Sequence, residues 1–405
     1  MAGKSKILML ATCLFGCIAV FGLYESAVAT NGMQVIGFGP LMRSMGGSGS
    51  ALPLDTAAIM VNPAGMSELE GRIDFGVVLF VPDSEYKATH IPYFGGMTVK
   101  ESSDTGVAPM PCFGLVIPVN DRLNFGVGAY GVAGMGVDYA ASLYGNVVYT
   151  SFEMMKFAPA LSYRINKTVS VGVALNLDYT TMGYNAGLTD LGTIVSHDKD
   201  SQLGYGFQAG ILVKPTDRFS VALSYISKQS FPDFEFNTTA GKDKLDLDLP
   251  QNVILGFGYK ITPKLRVAAD IKWINWDDTM KDGPQYAKNS SNSGAWNCNW
   301  DNQWVYAIGV EYDASNIVRL RIGYNYGANP LPTGQAFEGI AFPAIQEHHY
   351  TAGIGVVITE KLDMNLGVMY APEVTINGAN STQAIASYET SLSEYSLDIG
   401  LAYRF

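Results

Sequence analysis

The last eleven residues, YSLDIGLAYRF (395–405), constrain the fold more than any other stretch. Leu397, Ile399, Leu401, Tyr403 and Phe405 alternate with Ser396, Asp398, Gly400, Ala402 and Arg404, so an extended chain carries an apolar row on one face and small or charged groups on the other. A half-buried strand of a soluble sandwich alternates in the same way. Here the strand runs into the chain end on an aromatic residue, and its two-faced pattern recurs many times upstream with Tyr or Trp near strand ends. That combination fits a strand with one face in lipid and the other lining a polar lumen.

Composition agrees with a membrane barrel. Charged residues make up 16% of the 405 positions, against about 25% in soluble proteins. Mean hydropathy is +0.11, yet the one long apolar run is at the amino terminus, so lipid contact must be spread over alternating residues rather than helices. The net charge of −11 disfavours nucleic acid as a partner.

Residues 1–29 read as a secretory signal peptide. Lys4 and Lys6 give the positive end, residues 7–23 the apolar core, and Ala27, Val28 and Ala29 a cleavage site that starts the mature chain at Thr30. An uncleaved anchor is the rival reading. Neither Cys13 nor Cys17 sits in a lipoprotein signal. Cys112 and Cys298 then remain, and two cysteines in separate segments are expected as unpaired thiols.

Residues 30–71 lack sustained alternation and carry Gly46, Gly47, Gly49, Pro53 and Pro63, which predicts compact turns and short helical pieces. Ala57 to Val61, followed by Asn62 and Pro63, reads as a short helix stopped by its proline. The segment is long and apolar enough to pack into something, although a periplasmic tail is the simpler alternative.

From Arg72 onward the chain resolves into hairpins. Tight connections fall at 119–122, 165–168, 214–217, 261–264, 313–316 and 359–361. Longer loops are expected near 82–110, 132–149, 181–200, 231–250, 277–302, 327–346 and 372–390. Together they divide residues 72–405 into fourteen strands, an all-β, antiparallel transmembrane barrel with short periplasmic turns and long outer loops. Parity puts Val169, Val171, Val173, Leu175, Leu177 and Tyr179 in lipid, and Ser170, Asn176, Asp178 and Thr180 inside. Tyr179, Tyr225, Trp273, Tyr326 and Tyr370 fall at equivalent heights, as an interfacial girdle does.

With this architecture in hand, several stretches resemble a known family. VNPAGM after a glycine-rich opening, and later FPAIQEHHYTAGIGVVITEKLDMNLGVMYAPE, resemble the FadL family of outer-membrane transporters for long-chain fatty acids and other hydrophobic compounds. The resemblance covers essentially the whole mature chain. It implies a hatch made from residues 30–71, including Gly46, Gly47, Gly49, Asn62, Pro63 and Ala64. It further implies capture at the outer surface and sideways exit near a kink in the third strand, here residues 122–132. Gly126, Gly128, Gly131 and Gly134 are the candidates for that lateral gap, since glycine within a strand marks a bulge or bend. The same glycines would equally seat the hatch against the wall.

Apolar residues in the long loops are the substrate-binding candidates: Ile91, Phe94 and Met97 in the first, Leu331, Phe337 and Phe342 in the sixth. Their other role is packing the loops together. His348 and His349 are neighbours in a strand and point to opposite faces, so they make no metal pair. His349 is expected inward beside Glu347, as a structural hydrogen bond or a head-group contact. Arg266, Lys272, Arg319 and Arg321 also face inward, among carboxylates, and no head-group partner can be singled out. Tyr403 and Phe405 resemble the signal read by the barrel insertion machinery.

No G-x-S-x-G elbow or H-E-x-x-H pair accompanies the four histidines, so neither catalysis, metal nor cofactor is expected. A general porin has no place for an amino-terminal plug, and an energised transporter needs about 22 strands. What remains is a passive, monomeric uptake channel whose partners are a hydrophobic small molecule and outer-membrane lipid. Neutral hydrocarbons are an alternative cargo to fatty acids, and a structural or adhesin barrel an alternative role.

Overall fold

The computed structural model describes residues 30–90, 96, 98–139, 148–186, 196–238, 241–281, 285–287, 298–332, 341–380 and 385–405. The expected signal peptide lies outside them. So do Ile91, Phe94, Met97 and Phe337.

Fourteen wall strands follow one another around a closed antiparallel sheet: β1 (Arg72–His90), β2 (Ala108–Pro118), β3 (Leu123–Tyr139), β4 (Val148–Arg164), β5 (Val169–Ala186), β6 (Ser196–Val213), β7 (Phe219–Ile226), β8 (Asn252–Thr262), β9 (Leu265–Ile274), β10 (Gln303–Asp313), β11 (Val318–Gly327), β12 (His348–Val357), β13 (Leu362–Asn380) and β14 (Ile385–Arg404). The first strand closes on the last, with Arg72 opposite Arg404 and Phe75 opposite Leu401. Closure satisfies backbone groups that lipid cannot hydrogen-bond.

Parity holds where it was expected. On β5, Val173, Leu175, Leu177 and Tyr179 are exposed while Ser170, Asn176, Asp178 and Thr180 are buried. Leu397, Ile399, Leu401 and Tyr403 of β14 are likewise exposed, with Ser396, Asp398 and Ala402 buried. Tyr370 stacks on Tyr395 at 5.2 Å between ring centroids, part of the aromatic band.

Loop lengths differ from expectation. Residues 82–90, 132–139, 181–186, 372–380 and 385–390 belong to strands, which therefore reach 17 to 20 residues in β1, β3, β4, β5, β6, β13 and β14. Their upper parts carry cross-strand polar contacts such as Lys87 to Glu389 at 3.0 Å and Thr375 to Ser391 at 2.8 Å. Strand segments that stand in water need no greasy face, which hid them from a search for alternation. The long connections are 91–107, which holds a short strand, Thr98–Ser102, paired with Glu85–Thr89 of β1, and 227–251, 275–302 and 328–347. They hold a helical turn, Asp277–Met280, and a small sheet of Phe234–Thr238, Gly241–Asp246 and Gln285–Ala287.

Residues 30–67 are almost wholly buried. They form α1 (Gly39–Arg43), α2 (Ala58–Val61) and a 3-10 turn, Pro63–Glu68, capped by the Asn62 side chain accepting from the Ala64 amide. Their hydrogen bonds go to every side of the wall. Arg43 meets Asp398 of β14 at 2.9 Å, Gly46 N donates to Thr351 of β12, and Asn325 of β11 donates to Gly46 O. Asp270 of β9 accepts from Gly49 N, Ser50 N and Ser50 Oγ. Asn62 donates to Ile211 O of β6, Ser162 of β4 to Ala64 O, and Thr56 meets Tyr130 of β3. A segment tied to strands all around a ring sits inside it. Gly46 is at φ +67, and a Cβ there would lie 2.7 Å from the Tyr324 backbone, so only glycine fits both the turn and the approach.

Candidate functional site: an interrupted wall and the cavity behind it

Among the described residues the ladder between β2 and β3 is interrupted, at a place the sequence pattern did not localise. β2 and β3 pair from Pro118 opposite Asn124 up to Cys112 opposite Tyr130, and there the pairing stops. Above it β2 stays on β1, with Met110 opposite Val78 and Ala108 opposite Phe80. β3 stays on β4, but its register shifts between Gly131 and Ala133. That bulge turns β3 toward the interior segment: Val35 N donates to Val132 O at 3.3 Å, and Gly134 N donates to Met33 O at 3.0 Å. The two sides rejoin higher up, where Asp104 N donates to Asp138 O and Asp138 N to Ser103 Oγ. Residues 105–111 therefore face 131–137 without a ladder between them.

Pro109 and Pro111 lie on the β2 side of this break. Proline has no amide to donate, so β2 cannot complete ladders along both its edges there. This signal, APMP at 108–111, was readable in the sequence and was missed.

Gly131 and Gly134 flank the break. Gly126 and Gly128 do not, which corrects their assignment to the gap: they pair with Val116 and Gly114 of β2 and with Ala160 and Ala158 of β4. A Cβ on Gly128 would lie 3.0 Å from Met60 Sδ, and one on Gly126 would run into Met66. Their small size seats the interior segment against the wall.

Behind the break, between the interior segment and β3, β4, β8, β9 and β10, lies a cavity of about 60 Å³. Val132, the bulge residue, lines it, so cavity and break adjoin. Most of the lining is apolar, including Phe38, Met60, Met154, Ile226, Leu249 and Val305. Two lysines, Lys156 and Lys272, and one carboxylate, Asp270, also reach it. Asp270 is already occupied by the interior segment, whereas Arg266, Arg319 and Arg321 are committed to carboxylates elsewhere: Arg321 to Glu311 at 2.7 Å, Arg319 to Asp363 at 3.0 Å, Arg266 to Glu311 and Asp313. Lys156 was not singled out in the sequence because nothing distinguishes one inward lysine from another before the fold brings the cavity to it. The volume admits a few waters and no long acyl chain.

Leu331 and Phe342 are buried in the packed cap above the barrel, in one cluster with Trp276, Trp300 and Ile345, and neither lines the cavity. His349 faces inward and is fully buried, but its neighbour is Glu394, with Nε2 at 3.6 Å from Oε2. Glu347 instead accepts from Asn329 N, which corrects the expected His349–Glu347 patch. His348 points outward and meets Tyr324 OH at 2.6 Å. Cys112 and Cys298 are both buried and neither is in a disulfide. Among the described residues no group of His, Cys, Asp and Glu is placed to hold a metal.

Residues 26–405 match the family described as Outer membrane protein transport protein (OMPP1/FadL/TodX). The chain is 21% identical over 389 residues to the long-chain fatty acid transport protein of Escherichia coli K12, covering 82% of this chain and 84% of the relative. It is 23% identical over 382 residues to outer membrane protein P1 of Haemophilus influenzae, covering 80% and 82%. Its fold superposes on the crystal structure of the P. putida toluene transporter TodX with a TM-score of 0.75 at 19% identity, covering 91% of this chain and 99% of that one.

Proposed function

The chain belongs to the OMPP1/FadL/TodX family of outer membrane transport proteins, and from that premise we propose that it carries amphiphilic fatty acids inward and releases them sideways through the β2–β3 break. The observation that carries this reading is the coincidence of the missing ladder, the β3 bulge and the cavity at one residue, Val132. An acyl chain gains about 0.8 kcal/mol per methylene on leaving water, so an apolar cavity opening toward lipid suits it better than a wet pore. Movement is passive binding and release, with no bond made or broken.

Lys156 and Lys272 favour a carboxylate head group over a neutral hydrocarbon. Asp270 is occupied by the hatch, and Lys156 lies opposite the buried Asp178 of β5, so a ligand carboxylate would share Lys156 with Asp178 and meet Lys272 as the freer amine. In this reading residues 1–29 are removed on export, residues 30–71 act as the hatch, the protein works as a monomer in outer-membrane lipid, and its last strand is what the barrel insertion machinery reads.

The test is growth of a deletion strain, with and without the gene restored, on oleate or on toluene as sole carbon source. Restored growth on oleate supports the fatty-acid reading; restoration on toluene alone moves the cargo to neutral hydrocarbons.

A further inference from the structure

A second cavity lies on the opposite side of the hatch, at the periplasmic mouth. It measures about 270 Å³ against about 60 Å³ for the one above. Hatch residues Leu52 and Leu54, with Leu212 of β6, supply apolar lining. Four cations reach it from neighbouring strand ends: Lys214, Arg218, Lys260 and Arg266. By strand parity they share the inward face with Leu212, Ser220, Gly258 and Ala268.

The charges are unequally used. Lys214 is bound to Glu68 of the hatch, and Arg266 to Glu311 and Asp313. Arg218 and Lys260 make no ion pair among the described residues, although Asp217 sits in the adjoining turn. The lining thus carries four positive and two negative side chains, with two of the cations free. A recess with apolar residues along the hatch and spare cations at its rim takes a ligand with a tail and an anionic head.

We propose that this periplasmic mouth is a second binding site, for an anionic single-chain amphiphile whose head group meets Arg218 and Lys260 while its tail lies against the hatch. The inference rests on the uptake reading only for one possible source of that ligand, a fatty acid. The other source is a phosphate-headed lipid from the inner leaflet. Both present the same chemistry. The hatch strip between the two cavities is held by Asp270 through Gly49 and Ser50 and by Ser220 donating to Ala51 O, so a ligand below bears on the same strip as a ligand above.

The test uses the whole protein in nanodiscs of zwitterionic lipid, titrated calorimetrically with laurate, with a lysophosphatidate of equal chain length, and with dodecanol, empty nanodiscs being subtracted. Wild type is expected to bind two laurates, one per cavity. Arg218→Glu with Lys260→Glu is expected to remove one of the two events or weaken it at least about tenfold, the factor that 1.4 kcal/mol makes. Arg218→Gln with Lys260→Gln serves if the reversed charges impair folding, judged by heat-modifiable gel migration. Tighter lysophosphatidate than laurate binding at this site names membrane lipid as its source, and the reverse order names the cargo; either order keeps the site. Unchanged laurate stoichiometry and affinity in both double variants, or dodecanol binding there as tightly as laurate, overturns it. Failure of the upper site reads differently, as laurate binding unaltered by Lys156→Met with Lys272→Met.

Discussion

Met110 closes against Gly131 at the point where β2 and β3 cease to pair: a Cβ built on Gly131 would lie 3.3 Å from Met110 Cβ. The contact is between a flexible side chain and a residue with none, so it can part without breaking a ladder. Gly131→Trp is expected to plug the break and to cut labelled oleate uptake by about tenfold or more, the effect of 1.4 kcal/mol on a barrier, while heat-modifiable migration stays that of wild type. Gly128→Trp should instead push Met60 and Ile59 off the wall and disturb the hatch, visible as protease cleavage within residues 30–71.

The interior segment, the proposed hatch, is fixed to β9 by one carboxylate. Asp270 accepts two backbone amides at 3.0 Å and the Ser50 hydroxyl at 2.8 Å, all buried. Hydrogen bonds to a charged group contribute about 1.5–3 kcal/mol each, and orphaned donors add to the loss. Asp270→Ala should therefore loosen the strip at 49–50 and raise ion leak through single barrels in planar bilayers. Conductance equal to wild type would show that Asp270 does not hold the hatch.

Much of the barrel could be read from residues 169–180 or 395–405, because lipid on one side and polar lumen on the other impose a period of two that nothing local competes with. The upper ends of β1, β13 and β14 escaped because their outer face stands in water and is polar, while the apolar residues, Tyr86, Ala88, Tyr388 and Leu392, face inward into the packed cap. The glycines of β3 were recognised, but which of them seat the hatch and which border the break depends on where the β2 ladder ends. That is a pairing between distant segments. Lys272 was read as inward, but that it shares a cavity with Lys156 was hidden for the same reason: the two come from strands more than a hundred residues apart.

Lys156 and Lys272 should govern head-group preference. Lys156→Met with Lys272→Met keeps an unbranched side chain one atom shorter and removes both charges. Uptake of oleate is expected to fall by about tenfold, the worth of one charge-assisted contact, relative to uptake of a neutral alkane of similar length. An unchanged oleate to alkane ratio would take carboxylate recognition away from these two residues.

Phe405 donates its amide to Gly71 O at 3.0 Å and lays its ring over Gly71, yet the residue is 48% exposed. Deleting it should cost the finished barrel little and its assembly much. The expected result is a several-fold lower yield of heat-modifiable protein in cells. Barrels refolded in detergent should melt close to wild type. Equal yield in cells would remove the terminal ring from the insertion signal.

The most direct measurement locks the break. The 3.3 Å separation at Met110 and Gly131 is close to the roughly 3.5–4.5 Å between the Cβ atoms of a disulfide. With Cys112 and Cys298 replaced by alanine, Met110→Cys with Gly131→Cys is oxidised in place and labelled oleate uptake is followed before and after reductant. Uptake abolished in the oxidised protein and recovered on reduction is the predicted result; equal uptake in both states contradicts lateral passage between β2 and β3.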